Sequence, residues 1–179
     1  MRMMRGRPPR AETAERSSDP EAAREAALGM LERVRRTRSE LVERLGERGY
    51  GAQAIDQALD RLAAVGLVDD VEYARAFLES RASRRTAGWR RLEQELRRRG
   101  VHPEDVSAAR ARLEETRGPV DDTAAAARVL DQVARRYDRL EPRVRRQRLF
   151  ALLARRGFDG GVIARALDLR EDGDPPDDA

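Results

Sequence analysis

The residues best placed to do chemistry are arginines. Arg84, Arg85, Arg90, Arg91, Arg97 and Arg98 crowd one stretch of the chain, and Arg143, Arg145, Arg146, Arg148 and Arg155 crowd another. A planar guanidinium offers a fork of N–H donors that matches phosphate or carboxylate oxygens two at a time. Clusters of such groups neutralise nucleic-acid phosphates. Both sets are candidates for a face that meets DNA or an acidic protein surface. The competing reading is a solvated helix face. All 37 basic residues are Arg and none is Lys, so codon usage accounts for part of the arginine content. Glu93, Glu95 and Glu141 are near enough in sequence to pair with some of it. Arg99 and Arg156 are set apart, because each falls at a helix C-terminus, where a cation complements the dipole.

Other chemistries are excluded by what the chain lacks. There is no Cys and a single His, so disulfides, thiolate metal sites and multi-histidine metal sites cannot form. A Walker A loop requires a Lys. His102 precedes Pro103 at a helix start and reads as exposed or as a cap. Asp69-Asp70 and Asp121-Asp122 have the residue types of a metal or general-base pair. They recur in register with Asp19 at helix starts, where capping and the dipole predict them. Gly160-Gly161 lacks the strand that a nucleotide loop needs. No catalytic residue, cofactor or metal is expected. No apolar run approaches the roughly 20 residues of a membrane span, and Met1 to Arg10 has no apolar leader core. A cytoplasmic protein without membrane contact is the expectation.

The elements that must carry these arginines are helices. Ala, Leu, Arg and Glu dominate the 179 residues, with almost no alternation of the strand type. A repeat organises them. Leu45-Gly46-Glu47-Arg48-Gly49-Tyr50, Leu96-Arg97-Arg98-Arg99-Gly100-Val101 and Leu153-Ala154-Arg155-Arg156-Gly157-Phe158 share Leu-x-x-Arg-Gly followed by an apolar residue. Ile55, Val106 and Ile163 follow in step, then Ala58, Ala109 and Ala166. A period of about 50 residues is too long for two-helix repeats and fits three short helices per unit.

The first unit shows the logic. Asp19 caps and Pro20 opens a helix running to about Arg36, with Ala27, Leu28, Leu31 and Val34 on one stripe. Ser39 starts a second helix with Leu41 and Leu45 inward. Gly49 takes the left-handed position that ends it, and Tyr50 folds back as an apolar clamp. Gln53 to Val65 forms the third. In the second unit Tyr73, Phe77 and Leu78, then Trp89, Leu92 and Leu96, then Val106, Ala109 and Leu113 fill the same places. In the third, Leu130, Val133 and Tyr137 are followed by a longer helix opened by Pro142, and Ile163, Ala166 and Leu167 close the unit. The expected organisation is a disordered basic tail over 1–18, modules over 19–68, 69–120 and 121–169, and an acidic tail over 170–179. Units this small are expected to pack on one another.

In this order and spacing the residues resemble the RecX family of regulatory proteins. The resemblance is carried by Arg38-Ser39-Glu40-Leu41 leading to Leu45 and Arg48-Gly49, and by Gly66-Leu67-Val68-Asp69-Asp70 with Tyr73-Ala74. It continues through Glu95-Leu96 with Gly100-Val101, and through Leu152-Leu153-Ala154-Arg155-Arg156-Gly157-Phe158. It covers residues 22–169. It implies an all-α fold of three tandem three-helix, helix-turn-helix-like repeats forming an elongated curved body. It further implies binding to the RecA filament on single-stranded DNA, with suppression of ATP hydrolysis, strand exchange and co-protease activity. DNA repair and the SOS response would be regulated in consequence, by a protein that is not an enzyme. One departure is Arg84 to Arg91, where Trp89 occupies a slot more often filled by a smaller or aliphatic residue.

Charge sorts with the repeat. Residues 20–68 balance at eight arginines and eight acids, 69–120 carry twelve against ten, and 121–169 carry eleven against seven. The surplus rises towards the C-terminal half, which is therefore expected to meet the acidic surface. The alternative is a stand-alone helical DNA-binding protein, whose second helices would read bases. A monomer is expected, since no spare apolar stripe asks for a second copy.

Overall fold

Asp19 ends the extended entry to the first helix by accepting a hydrogen bond from Glu21 N at 2.9 Å. The same device recurs at each unit. Asp69 accepts from Glu72 N (2.8 Å) and Asp121 from Thr123 N and Ala124 N (2.8 and 3.0 Å). The first member of each acidic pair, Asp69 and Asp121, is a helix cap, as the register predicts, and the second opens the helix. The structure is a computed structural model and describes residues 18–82 and 86–173. The expected basic tail, up to residue 17, lies outside them, as do Arg84 and Arg85.

Nine α-helices follow among the described residues: α1 Pro20–Leu31, α2 Arg38–Glu47, α3 Ala52–Ala64, α4 Asp70–Ala82, α5 Trp89–Arg98, α6 Pro103–Arg117, α7 Asp122–Val133, α8 Pro142–Arg155 and α9 Gly160–Gly173. A 3₁₀ turn, Ala134–Arg136, follows α7. No strand occurs among these residues. The fold is three three-helix modules in tandem.

Each module closes on its own apolar core. Leu41, Leu45, Ile55, Leu59 and Leu62 form the first with Ala27 and Met30. Phe77, Leu92, Leu96, Val106 and Leu113 form the second, against which Trp89 is half-buried. Val129, Leu130, Leu149, Leu153, Phe158, Ile163 and Leu167 form the third. Fully burying a leucine contributes about 1.5–3 kcal/mol, so each core holds its module's helices together. The second helices end alike. Tyr50 N, Val101 N and Phe158 N donate back to Leu45 O, Leu96 O and Leu153 O at 3.1–3.2 Å. Gly49, Gly100 and Gly157 take φ of +87, +79 and +82 to make that reversal.

Three boundaries differ from the sequence reading. The first helix stops at Leu31 rather than Arg36, leaving Val34 half-exposed. The second starts at Arg38, capped by Thr37 and not Ser39. The last helix runs on through Arg170 to Gly173, so the acidic tail begins later than 170. Arg170 bonds Asp131 at 3.1 Å, and Glu171 bonds Arg146 at 2.8 Å, which holds that added turn.

Candidate interaction surface

The apolar cores do not merge, so something else must join the modules. It is the Leu-x-x-Arg-Gly turn of one module seated on the N-terminus of the preceding module's second helix. At the first junction Thr37 Oγ1 donates to Arg99 O at 2.6 Å. Thr37 is fully buried there and also caps α2 through Glu40 N at 3.1 Å. At the second junction Gly88 N donates to Arg156 O at 2.9 Å. The acceptors Arg99 and Arg156 are the same repeat position.

The glycines of the repeat are needed for this approach as well as for their φ. A Cβ on Gly100 would stand 2.1 Å from Ser39 Cβ, and one on Gly157 would stand 2.6 Å from Arg91 N. A Cβ on Gly88 would stand 2.3 Å from Gly157 O. Gly49, in the first of the three modules, meets nothing within 4 Å. At the other end α8 begins a full turn earlier than α2 or α5 relative to the repeat. The position aligned with Thr37 and Gly88 is Arg145, whose N–H is spent inside the helix on Glu141 O at 2.9 Å.

The first junction is further tied by charge. Asp70 accepts from Arg38 N at 2.9 Å, Arg99 bonds Glu40 at 3.0 Å, and Arg35 reaches Glu72 at 3.3 Å. Burial pushes the Asp70 carboxyl above its usual range, opposed by its bond from Arg38 N. Glu72 is held down to about 2, first by its hydrogen bonds from Arg75.

The second junction opens a cleft of about 660 Å³. It is lined by Arg90, Arg91, Gln94, Glu95 and Arg98 from the second module, and by Phe150 and Arg155 among others from the third. Phe150 is 43% exposed within it. Arg90 bonds Asp159 at 2.8 Å and Arg91 reaches Glu95 at 3.4 Å. Arg98 and Arg155 are exposed, and among the described residues neither makes an ion pair. At the positions aligned with Arg90, Arg91, Gln94, Glu95 and Arg98, the first module has Ser39, Glu40, Glu43, Arg44 and Glu47. Three arginines and one glutamate in one junction thus correspond to three glutamates and one arginine in the other.

The candidate arginines therefore separate. Arg90, Arg91, Arg98 and Arg155 converge on the cleft. Arg97 is tied to Glu93 at 2.7 Å along α5. Arg146 is held by Asp168 at 2.6 Å and Glu171 at 2.8 Å, which raise its proton affinity further. Arg143 and Arg148 are exposed and Arg145 is half-buried, all on the N-terminal half of α8 and outside the cleft lining. Arg84 and Arg85 fall outside the described residues. Sequence reasoning missed Phe150 and Gln94. It also discounted Arg99 and Arg156, whose carbonyls make the junctions. Trp89 sits against its core with the Arg110 guanidinium 4.4 Å from its ring, a structural place for it. No cluster of metal-ligating side chains and no helix long and apolar enough to cross a membrane occurs among the described residues.

Known proteins carry the same three units in the same order. Residues 23–62 match the first three-helix domain of RecX, residues 69–109 the second, and residues 121–167 the third. The chain belongs to the RecX family. Two solved structures share its fold. A crystal structure of the regulatory protein RecX is 24% identical with a TM-score of 0.73, over 88% of this chain and 75% of that one. RecX from Lactobacillus salivarius is 18% identical with a TM-score of 0.76, over 86% of this chain and 97% of that one. No curated protein matches it. RecX membership implies regulation of RecA.

Proposed function

We propose that this chain regulates RecA by binding the filament that RecA forms on single-stranded DNA, chiefly as an inhibitor. The reading is that it suppresses ATP hydrolysis, strand exchange and co-protease activity, and through them tempers DNA repair and the SOS response. The observation that carries the filament-facing part is the cationic cleft between the second and third modules. There Arg98 and Arg155 stand unpaired beside an exposed Phe150. Unpaired guanidinium groups on one face gain most from an acidic partner, whether carboxylate or DNA phosphate. The chain acts as a monomer in the cytoplasm and needs no cofactor in this reading.

A stand-alone DNA-binding role draws less support. A groove-reading helix inserts its N-terminal residues among bases. The N-termini of α2 and α5 are instead covered by the next module, through Thr37 and Gly88. The test is to add purified protein to RecA, single-stranded DNA and ATP, and to follow hydrolysis. Hydrolysis is expected to fall at near-stoichiometric protein. An unchanged rate would overturn the proposal.

A further inference from the structure

The two junctions are built alike but are not satisfied alike. In the first, Arg99 Nη1 donates to the Glu40 carboxylate across the junction at 3.0 Å. The aligned residues in the second are Arg156 and Arg91, so a guanidinium stands where the acceptor was. Arg156 Nη1 is buried there and has no hydrogen-bond partner. Buried polar groups are nearly always paired, and a charged donor left without an acceptor is costly.

Beside it is a pocket of about 390 Å³, which shares Arg91 and Glu95 with the larger cleft. Arg81, Arg91 and Arg156 line it together with Ser80 and Thr86. Its single carboxylate, Glu95, is already shared by Arg81 at 3.5 Å and Arg91 at 3.4 Å. Arg81 is further fixed by stacking 3.6 Å over the Phe77 ring. Three guanidinium groups thus face one acid.

We propose that this pocket receives one carboxylate side chain, Asp or Glu, from a protein partner, which takes on Arg156 the place that Glu40 holds on Arg99. A carboxylate is favoured over phosphate for two reasons. The sister junction fills the same position with one. Glu95, already in the pocket, also repels a dianion more than a monoanion. A small turn of the Arg156 guanidinium brings its N–H fork onto the incoming oxygens. The proposal deepens the RecA-binding reading and rests on it for the partner being a filament protein.

The test uses the full chain with three separate probes: a capped hexaglutamate peptide, inorganic phosphate and an oligothymidylate. The readouts are the Arg156 side-chain N–H resonances and the melting midpoint. The peptide is expected to shift the Arg156 signals and raise the midpoint by a few degrees, with phosphate and oligothymidylate leaving the Arg156 signals in place. Arg91→Glu restores an acceptor within the chain. It is expected to raise the midpoint without peptide and to weaken the peptide response at least tenfold. Arg112→Glu makes the same charge change on an exposed site and should leave the response intact. The proposal fails if the peptide leaves Arg156 unmoved, or if phosphate or oligothymidylate matches the peptide. It fails equally if Arg91→Glu behaves like Arg112→Glu. The RecA hydrolysis assay on the unaltered chain separates the two readings. Loss of inhibition there defeats the regulatory reading whatever the peptide does, and a silent peptide with intact inhibition defeats only this pocket.

Discussion

The first and second junctions use one backbone device and opposite side-chain chemistry. Both seat an Arg-Gly turn on a helix N-terminus, through Thr37 in one and Gly88 in the other. Around that shared contact the first is closed by Glu40, Asp70 and Glu72, which bind Arg99, Arg38 N and Arg35. The second leaves Arg98 and Arg155 exposed without ion pairs and Arg156 Nη1 without an acceptor. The difference separates holding from binding. Backbone contact suffices to fix the modules, and the side chains left over decide which junction can meet something else. Modules one and three share no backbone hydrogen bond among the described residues.

The largest expected effect comes from glycines at these contacts. Gly157→Ala must hold a side chain at φ +82 and drive a Cβ to 2.6 Å from Arg91 N. Left-handed strain of about 1–2 kcal/mol adds to overpacking of about 1–3 kcal/mol. Gly49→Ala carries the same strain with nothing within 4 Å, so it is expected to cost only about 1–2 kcal/mol. The difference between the two, read from urea unfolding, is the junction's share. Gly88→Ala isolates that share another way. Its φ of −73 suits alanine, so the cost is only the clash with the Gly157–Phe158 backbone. Equal costs for Gly49→Ala and Gly157→Ala would remove the junction from the account.

A smaller loss is expected at the first junction from Thr37→Val. It removes both the α2 cap and the bond to Arg99 O, at about 1–2 kcal/mol. Smaller again is the pH dependence. Burial raises the Asp70 pKa, so the folded chain takes up that proton before the unfolded one does. Its contribution to stability grows as pH falls from neutral through the raised value. Glu72 works oppositely. Its contribution is full above the ordinary glutamate value of 4.5 and is lost as pH falls towards about 2. Asp70→Asn keeps an oxygen for Arg38 N and is expected to flatten the rise on mild acidification. An Asp70 carboxyl that titrates by NMR at the ordinary aspartate value would contradict this.

Much of this architecture was legible in the sequence because its causes are local. The Leu-x-x-Arg-Gly turn needs a left-handed residue and an apolar clamp, and both are visible as residue types. Asp19, Asp69 and Asp121 announce helix starts by capping chemistry alone. What was not legible depends on tertiary contact. Nothing between Glu32 and Arg36 breaks a helix; α1 ends early because Thr37 must reach Arg99 O, 62 residues away. The continuation of α9 to Gly173 depends on Asp131 and Arg146 in other helices. The sorting of the arginines also follows from partners distant in sequence. Arg146 is consumed by Asp168 and Glu171, whereas Arg155, nine residues on, is left exposed. The separate cores were hidden as well. Apolar periodicity shows that a face is buried, but not whether the burial is inside a module or between two.

The most direct measurement is RecA ATP hydrolysis on single-stranded DNA with two exposed charges reversed at one junction or at the other. One variant carries Arg98→Glu with Arg155→Glu, and the other carries Glu43→Arg with Glu47→Arg. The first is expected to lose inhibition at least tenfold in concentration while unfolding within about 0.5 kcal/mol of the unaltered chain, as exposed substitutions do. The second is expected to inhibit as before. Equal inhibition by both variants would contradict the assignment of the second junction as the face that meets the filament.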